Sequence, residues 1–217
     1  MIDRIKEKVS TMFVNDEINT PEEDPKIILV NSGPLEGPPE PEMRVVGLYT
    51  DITEEKVAEL TQALLYLNET NRLKEDDEEK KPIDFYISTY GGNADDMFAL
   101  YDIMKQVQQE TEIHTIGMGK VMSAGVLLLA GGTPGHRKIG KNCRIMLHSV
   151  SSGNHGDLHN LVNEVEAIQE LQEMYINCLT QETKMTKSQL KKMLERKVNV
   201  YLSAEQAVEY GIADKVL

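Results

Sequence analysis

From residue 44 onward, short strand-like apolar runs alternate with stretches of helical period, and this alternation restricts the fold more than any other feature of the chain. Residues 44–49 read as a strand. Thr53, followed by Glu54 and Glu55, is placed to open a helix that carries Val57, Leu60, Leu64 and Leu67 on one face. The pattern recurs with a strand over 83–88, a helix over 94–107, a strand over 113–118 and an apolar helix over 122–130. Strands separated by helices are joined by crossovers rather than hairpins, so the expectation is an α/β domain on a parallel sheet.

Within this frame one serine stands out. Ser123 lies where a strand-like run ends and the helix Ala-Gly-Val-Leu-Leu-Leu129 begins. A serine hydroxyl becomes a nucleophile only when a base takes its proton. The run Cys143-Arg-Ile-Met-Leu-His148 ends on a histidine, where such a base is wanted. Taken alone, Ser123 reads sooner as a small residue easing helix–sheet packing than as a catalyst, and His148 as a satisfied core histidine; together they point to acyl transfer. Gly91-Gly92, directly after the second strand, either forms an ordinary turn or aims backbone N–H groups at a ligand.

Further on, Leu158, Leu161, Val162, Val165, Ile168, Leu171, Tyr175, Cys178 and Leu179 keep a helical period. The resulting helix, about 158–182, is roughly 37 Å long. It outgrows a small domain, and a partner subunit is the natural cover for its apolar stripe. Thr186 with Gln189, and Ser203 with Gln206, have capping-box spacing, and Gly211 sits where a C′ glycine would end the last helix.

Composition narrows the partners. A net charge of −13 over 217 residues supplies no basic surface for a phosphate backbone, so no nucleic acid is expected. No run approaches the ~18 apolar residues of a membrane span, and residues 1–9 lack a signal-like apolar core, so no membrane association is expected. Cys143 and Cys178 lie in apolar segments without CxxC spacing, as buried thiols suited to a reducing cytoplasm. No metal or cofactor is expected: Asp157 interrupts His155 and His159, and the charge run over 74–81 reads as a solvated loop. Residues 1–43 stand apart, with Ile2, Ile5, Val9 and Met12 at helical spacing before a proline-rich tract. They form a short helix and an extended connector, or a disordered tail with a chance pattern.

These motifs, in this order, resemble the ClpP family, the serine-peptidase subunit of the Clp protease, over residues 44–217. The carriers are Tyr86-Ile-Ser-Thr-Tyr-Gly91-Gly92, the Ser123 segment, Arg144-Ile-Met-Leu-His148, Gly153 and Gly156, and Tyr201-Leu-Ser-Ala-Glu-Gln-Ala-Val-Glu-Tyr-Gly211. The resemblance implies a crotonase-like βα spiral domain whose long helix is a handle joining two stacked seven-membered rings. It implies an acyl-Ser123 intermediate, His148 as base and an oxyanion hole from the Gly92 and Ala124 N–H groups. It also implies an unfolded polypeptide docked by β-addition along a strand after His148, at Gly91, Ser149, Val150, Ser151 and Gly153.

The chain departs from the family at the third triad position, where Asn199 stands in place of an acid. Asparagine can orient a histidine but cannot stabilise an imidazolium as aspartate does, which predicts a slower hydrolase. The resemblance further implies a Clp-type ATPase unfoldase as partner. Asp84 and Gln106 stand where the docking pocket has aromatic residues, with Tyr86 kept, which predicts weak docking. Two other classes fit the same fold: a catalytically silent ring subunit, and a crotonase-type acyl-CoA enzyme, which needs no serine–histidine pair.

Overall fold

The computed structural model describes residues 42–217 apart from 76, 77, 154, 196 and 197. The helix and connector expected before residue 42 lie outside the described residues.

Among the described residues seven strands form one sheet: β1 (Val45–Leu48), β2 (Ile83–Thr89), β3 (Ile113–Met122), β4 (Lys138–Ile139), β5 (Arg144–Leu147), β6 (Val200–Leu202) and β7 (Lys215–Val216). The path β1-β2-β3-β4-β7 is parallel throughout, as the alternation required. The helices are α1 (Glu54–Arg72), α2 (Ala94–Val107), α3 (Ala124–Ala130), α4 (Leu158–Glu182), α5 (Lys187–Leu194) and α6 (Ala204–Glu209). The architecture is a mixed α/β one, a largely parallel sheet with helices packed on it.

The local signals act as their chemistry dictates. The Thr53 hydroxyl accepts from the Lys56 N–H and starts α1, and both capping boxes form at Thr186 and Ser203. Gly211, at φ 76°, takes the left-handed position after α6. In β2 the odd positions Ile83, Phe85 and Ile87 are buried while Asp84 and Tyr86 face the other way. Every residue of α3 is buried, because the helix lies between the sheet and its neighbours. Each fully buried leucine there stabilises the fold by about 2 kcal/mol.

Strand β3 runs past its expected end at residue 118, to Met122. Between Ile87 and Thr89 of β2 the register shifts, so Ile87 faces Gly117 but Thr89 faces Val121. Gly119, at φ 65°, absorbs this bulge. Before it β3 pairs with β4; after it β3 pairs with β5, with Met122 opposite Met146. That pairing holds Met122 extended, so α3 begins at Ala124 rather than at residue 122.

Arg137 fixes the other side of the core. Its guanidinium forms two hydrogen bonds to Asp214, at 3.0 and 2.7 Å, and donates to the carbonyls of Ala130 and Glu182, the last residues of α3 and α4. One buried cation thus serves two helix C-termini and the turn before β7. Helix α4 matches its expected range, and its N-terminal half is open: Leu158, Val162 and Val165 are exposed, whereas Tyr175, Ile176 and Leu179 are buried. Among the described residues no helix is long and apolar enough to cross a membrane.

Candidate active site

Strands β2, β3 and β5 all deliver their C-terminal ends to one edge of the sheet, and the chemistry-bearing residues meet there. Ser123 is the hinge between β3 and α3. Its N–H donates to the Met146 carbonyl at 2.7 Å, extending the β3–β5 ladder by one bond. Its φ of 53° makes it the sole non-glycine residue with positive φ among those described. A serine held in that sparsely populated region costs on the order of 1–3 kcal/mol, which the surrounding packing must over-determine. The buried Tyr175 contributes by donating its hydroxyl to the Ser123 carbonyl at 2.9 Å. Burial pushes the Tyr175 phenol well above its ordinary pKa, so it remains a donor.

The strained turn lifts the Ser123 hydroxyl toward His148, one residue beyond the end of β5. Nε2 of His148 lies 2.7 Å from Ser123 Oγ, within hydrogen-bond reach of a base for that proton. Both side chains border an open cavity of about 560 Å³, whose apolar wall includes Met97, Phe98, Leu171 and Met174.

Gly91 and Gly92 close the site from β2. Gly91 has φ 106°, and a Cβ there would sit 2.6 Å from the Ser123 Cβ. Gly92 is pressed against the Ile52 backbone, where a Cβ would come within 2.2 Å of a carbonyl oxygen. The neighbouring backbone groups are engaged, Ile52 N–H with the Gly91 carbonyl and Asn93 N–H with the Ile52 carbonyl. The Gly92 N–H itself makes no hydrogen bond to the described residues, and Gly92 borders the cavity. Ala124, first residue of α3 and therefore without an intrahelical acceptor for its N–H, borders it too.

Of the expected substrate-contacting residues, Ser149, Val150 and Ser151 line the cavity, whereas Gly91 lies behind Ser123 and Gly153 is exposed outside the lining. The strand expected after His148 does not form within this chain. β5 ends at Leu147, residues 149–153 have no sheet partner, and the Val150 N–H is instead bonded to Gln172 Oε1 of α4 at 3.1 Å. An extended segment needs a neighbour to satisfy its backbone, and α4 supplies only a side chain.

Asn199 is exposed and immediately precedes β6, whose Val200 pairs with Leu147, the residue before His148. No hydrogen bond joins the two among the described residues. His155 and His159 are exposed and do not line the cavity, and Asp157 is occupied as the N-cap of α4. Tyr175 and Gln172 act on the site from a helix whose sequence signals only packing. Thr89 acts similarly from β2, its hydroxyl accepting from the Gly91 N–H at 3.0 Å.

Comparison with known proteins decides the family. A model of the Clp protease family matches residues 41–217. The chain belongs to the Clp protease family. It is 30% identical over 174 residues to the ATP-dependent Clp protease proteolytic subunit of Mesostigma viride, covering 80% of this chain and 71% of that protein. The resemblance carried by the motifs and the fold it implied therefore hold, and the activity class is that of a ClpP-type peptidase. The paired Ser123 and His148 stand in the part of the chain that the family model spans.

Proposed function

We propose that this protein is a serine endopeptidase that cleaves unfolded polypeptides through an acyl-Ser123 intermediate. The observation that carries this is the 2.7 Å contact between His148 Nε2 and Ser123 Oγ at a residue with φ 53°. The hydroxyl attacks a peptide carbonyl at the cavity floor as its proton passes to Nε2. The resulting oxyanion is met by the Gly92 and Ala124 N–H groups, each such donor being worth about 10²–10³ in rate. His148 then protonates the leaving amine, and water reverses the sequence to free Ser123.

Asn199 is proposed as the third member, its Oδ1 accepting from His148 Nδ1 once a substrate or neighbouring subunit orders the site, since catalytic hydrogen bonds tighten in the working complex. Residues 149–153 would gain the strand geometry they lack by pairing with the substrate backbone. The exposed apolar stripe of Leu158, Val162 and Val165 supports a homo-oligomer in which α4 meets a second copy, as two stacked rings. Docking of a Clp-type ATPase at Asp84, Tyr86 and Gln106 would be weak, because little apolar area is available there.

The absence of a hydrogen bond between His148 and Asn199 favours one alternative, a catalytically silent ring subunit. Incubation with a fluorophosphonate, followed by intact-mass measurement, separates the two. One adduct on the natural protein and none on Ser123→Ala is expected; an assembled oligomer that takes no adduct would support the silent subunit.

A further inference from the structure

The opposite edge of the sheet, where β2 and β3 begin, carries a second cluster of reactive side chains. We propose that Glu112, His114 and His136 form a binding site for a divalent transition metal of the zinc class. Their donor atoms all lie within 4.8 Å of one another. Glu112 Oε2 is 2.9 Å from His114 Nε2 and 3.9 Å from His136 Nε2. The imidazoles stack at 4.2 Å between centroids and 6° between planes, so both present their Nε2 edges to the same carboxylate. Imidazole with carboxylate suits zinc, nickel or copper, while calcium and magnesium prefer all-oxygen shells. Three protein ligands leave a fourth position for water.

A second observation concerns the other ring nitrogen. Asp84 Oδ1 lies 3.6 Å from His114 Nδ1. A carboxylate behind a ligating histidine fixes its tautomer and orientation, the usual outer-shell partner of a metal-bound imidazole. Asp84 is held there by the sheet itself, since β2 and β3 pair with Asp84 directly opposite His114.

The backbone around the donors is equally fixed. The Glu112 carbonyl accepts from the Ile83 N–H, and the Thr133 N–H and hydroxyl bond to the Ile113 backbone at 2.8 and 2.9 Å. The His136 N–H closes a turn onto the Thr133 carbonyl at 3.0 Å, next to the anchored Arg137. The one adjustment a metal requires is a splay of the stacked rings, so that both lone pairs converge. His136, whose side chain is 44% exposed on its turn, has the room. Without a metal the cluster is a hydrogen bond between His114 and Glu112 with His136 stacked beside it.

The test is calorimetric titration of Zn²⁺ into the chelator-stripped full-length protein. One Zn²⁺ should bind per chain, while Ca²⁺ should not bind. Affinity should fall at least about 100-fold in His114→Gln and His136→Gln, and about tenfold in Asp84→Asn. It should be unchanged in His148→Gln and in the His155→Gln, His159→Gln double variant, which together with the two ligands account for every histidine in the chain. Melting curves without metal check that each variant folds. Failure of Zn²⁺ to bind, binding retained in His136→Gln, or binding lost in the His148 or His155/His159 variants would overturn the proposal. None of these readouts involves peptidase activity, so the result is separable from the fate of the Ser123 mechanism.

Discussion

Val200 pairs with Leu147 across the antiparallel β5–β6 ladder, so Asn199 and His148 are each the next residue beyond that pair. We propose that Asn199 takes the third triad position, with an amide where the resemblance implies an acid. Asn199→Asp should therefore increase peptide turnover by at least about tenfold, with about 10⁴ as the ceiling set by the reverse change in another serine protease. Steady-state kinetics on an oligomer of unchanged mass checks it; unchanged or lower turnover would remove residue 199 from the catalytic account.

Gly91 is proposed to matter through Ser123 rather than through substrate. Gly91→Ala places a methyl 2.6 Å from the Ser123 Cβ and 3.0 Å from the Met122 carbonyl oxygen, at φ 106°. Displacing the nucleophile by about 1 Å should lower fluorophosphonate labelling on the order of 100-fold. Gly153→Ala, whose added methyl meets nothing within 4 Å, should melt like the natural protein. If Gly91→Ala labels normally, the site is more forgiving than its geometry implies.

The Arg137–Asp214 pair predicts a pH dependence of stability. Burial raises the Asp214 carboxyl, but the hydrogen bonds and charge of Arg137 more than offset this and hold it below its ordinary value. A depressed folded pKa contributes stability that is present above the unfolded value of about 3.9 and lost as pH falls through the folded one. Asp214→Asn should cost about 3 kcal/mol at pH 7, and its deficit should shrink below about pH 4. A deficit that stays constant from pH 7 to pH 2 would assign the effect to packing.

Cys143 should resist alkylation. It is buried, and burial pushes its thiol up to about 11. The raised value favours the folded state below the unfolded thiol pKa of about 8.5 and ceases to do so as pH rises toward 11. Iodoacetamide at pH 8 should modify Cys143 only after denaturant is added, as read by peptide mass; rapid labelling of the native protein would show that β5 opens locally.

Much of this molecule is legible in particular stretches of sequence. Thr53, Thr186 and Ser203 each cap the helix they precede, because capping is settled within about four residues. Ala94–Val107 and Leu158–Glu182 match their expected ranges, since each helix presents a sustained apolar face. The end of β3 differs from its expected place for the opposite reason: residues 120–122 are strand because β5 pairs with them, and β5 is a separate segment of the chain.

The order of βα units and the presence of a serine and a histidine at strand ends follow from sequence alone, because period and capping are local properties. Tertiary structure decided everything that depends on which ends meet. It set the 2.7 Å between Ser123 and His148, the positive φ of Ser123, and the unformed strand after His148. It also brought His136 onto His114, two residues with no shared motif, because one precedes β4 and the other opens β3 in the same parallel sheet. Such meetings are fixed by strand register and packing between segments far apart in sequence, which no local pattern encodes.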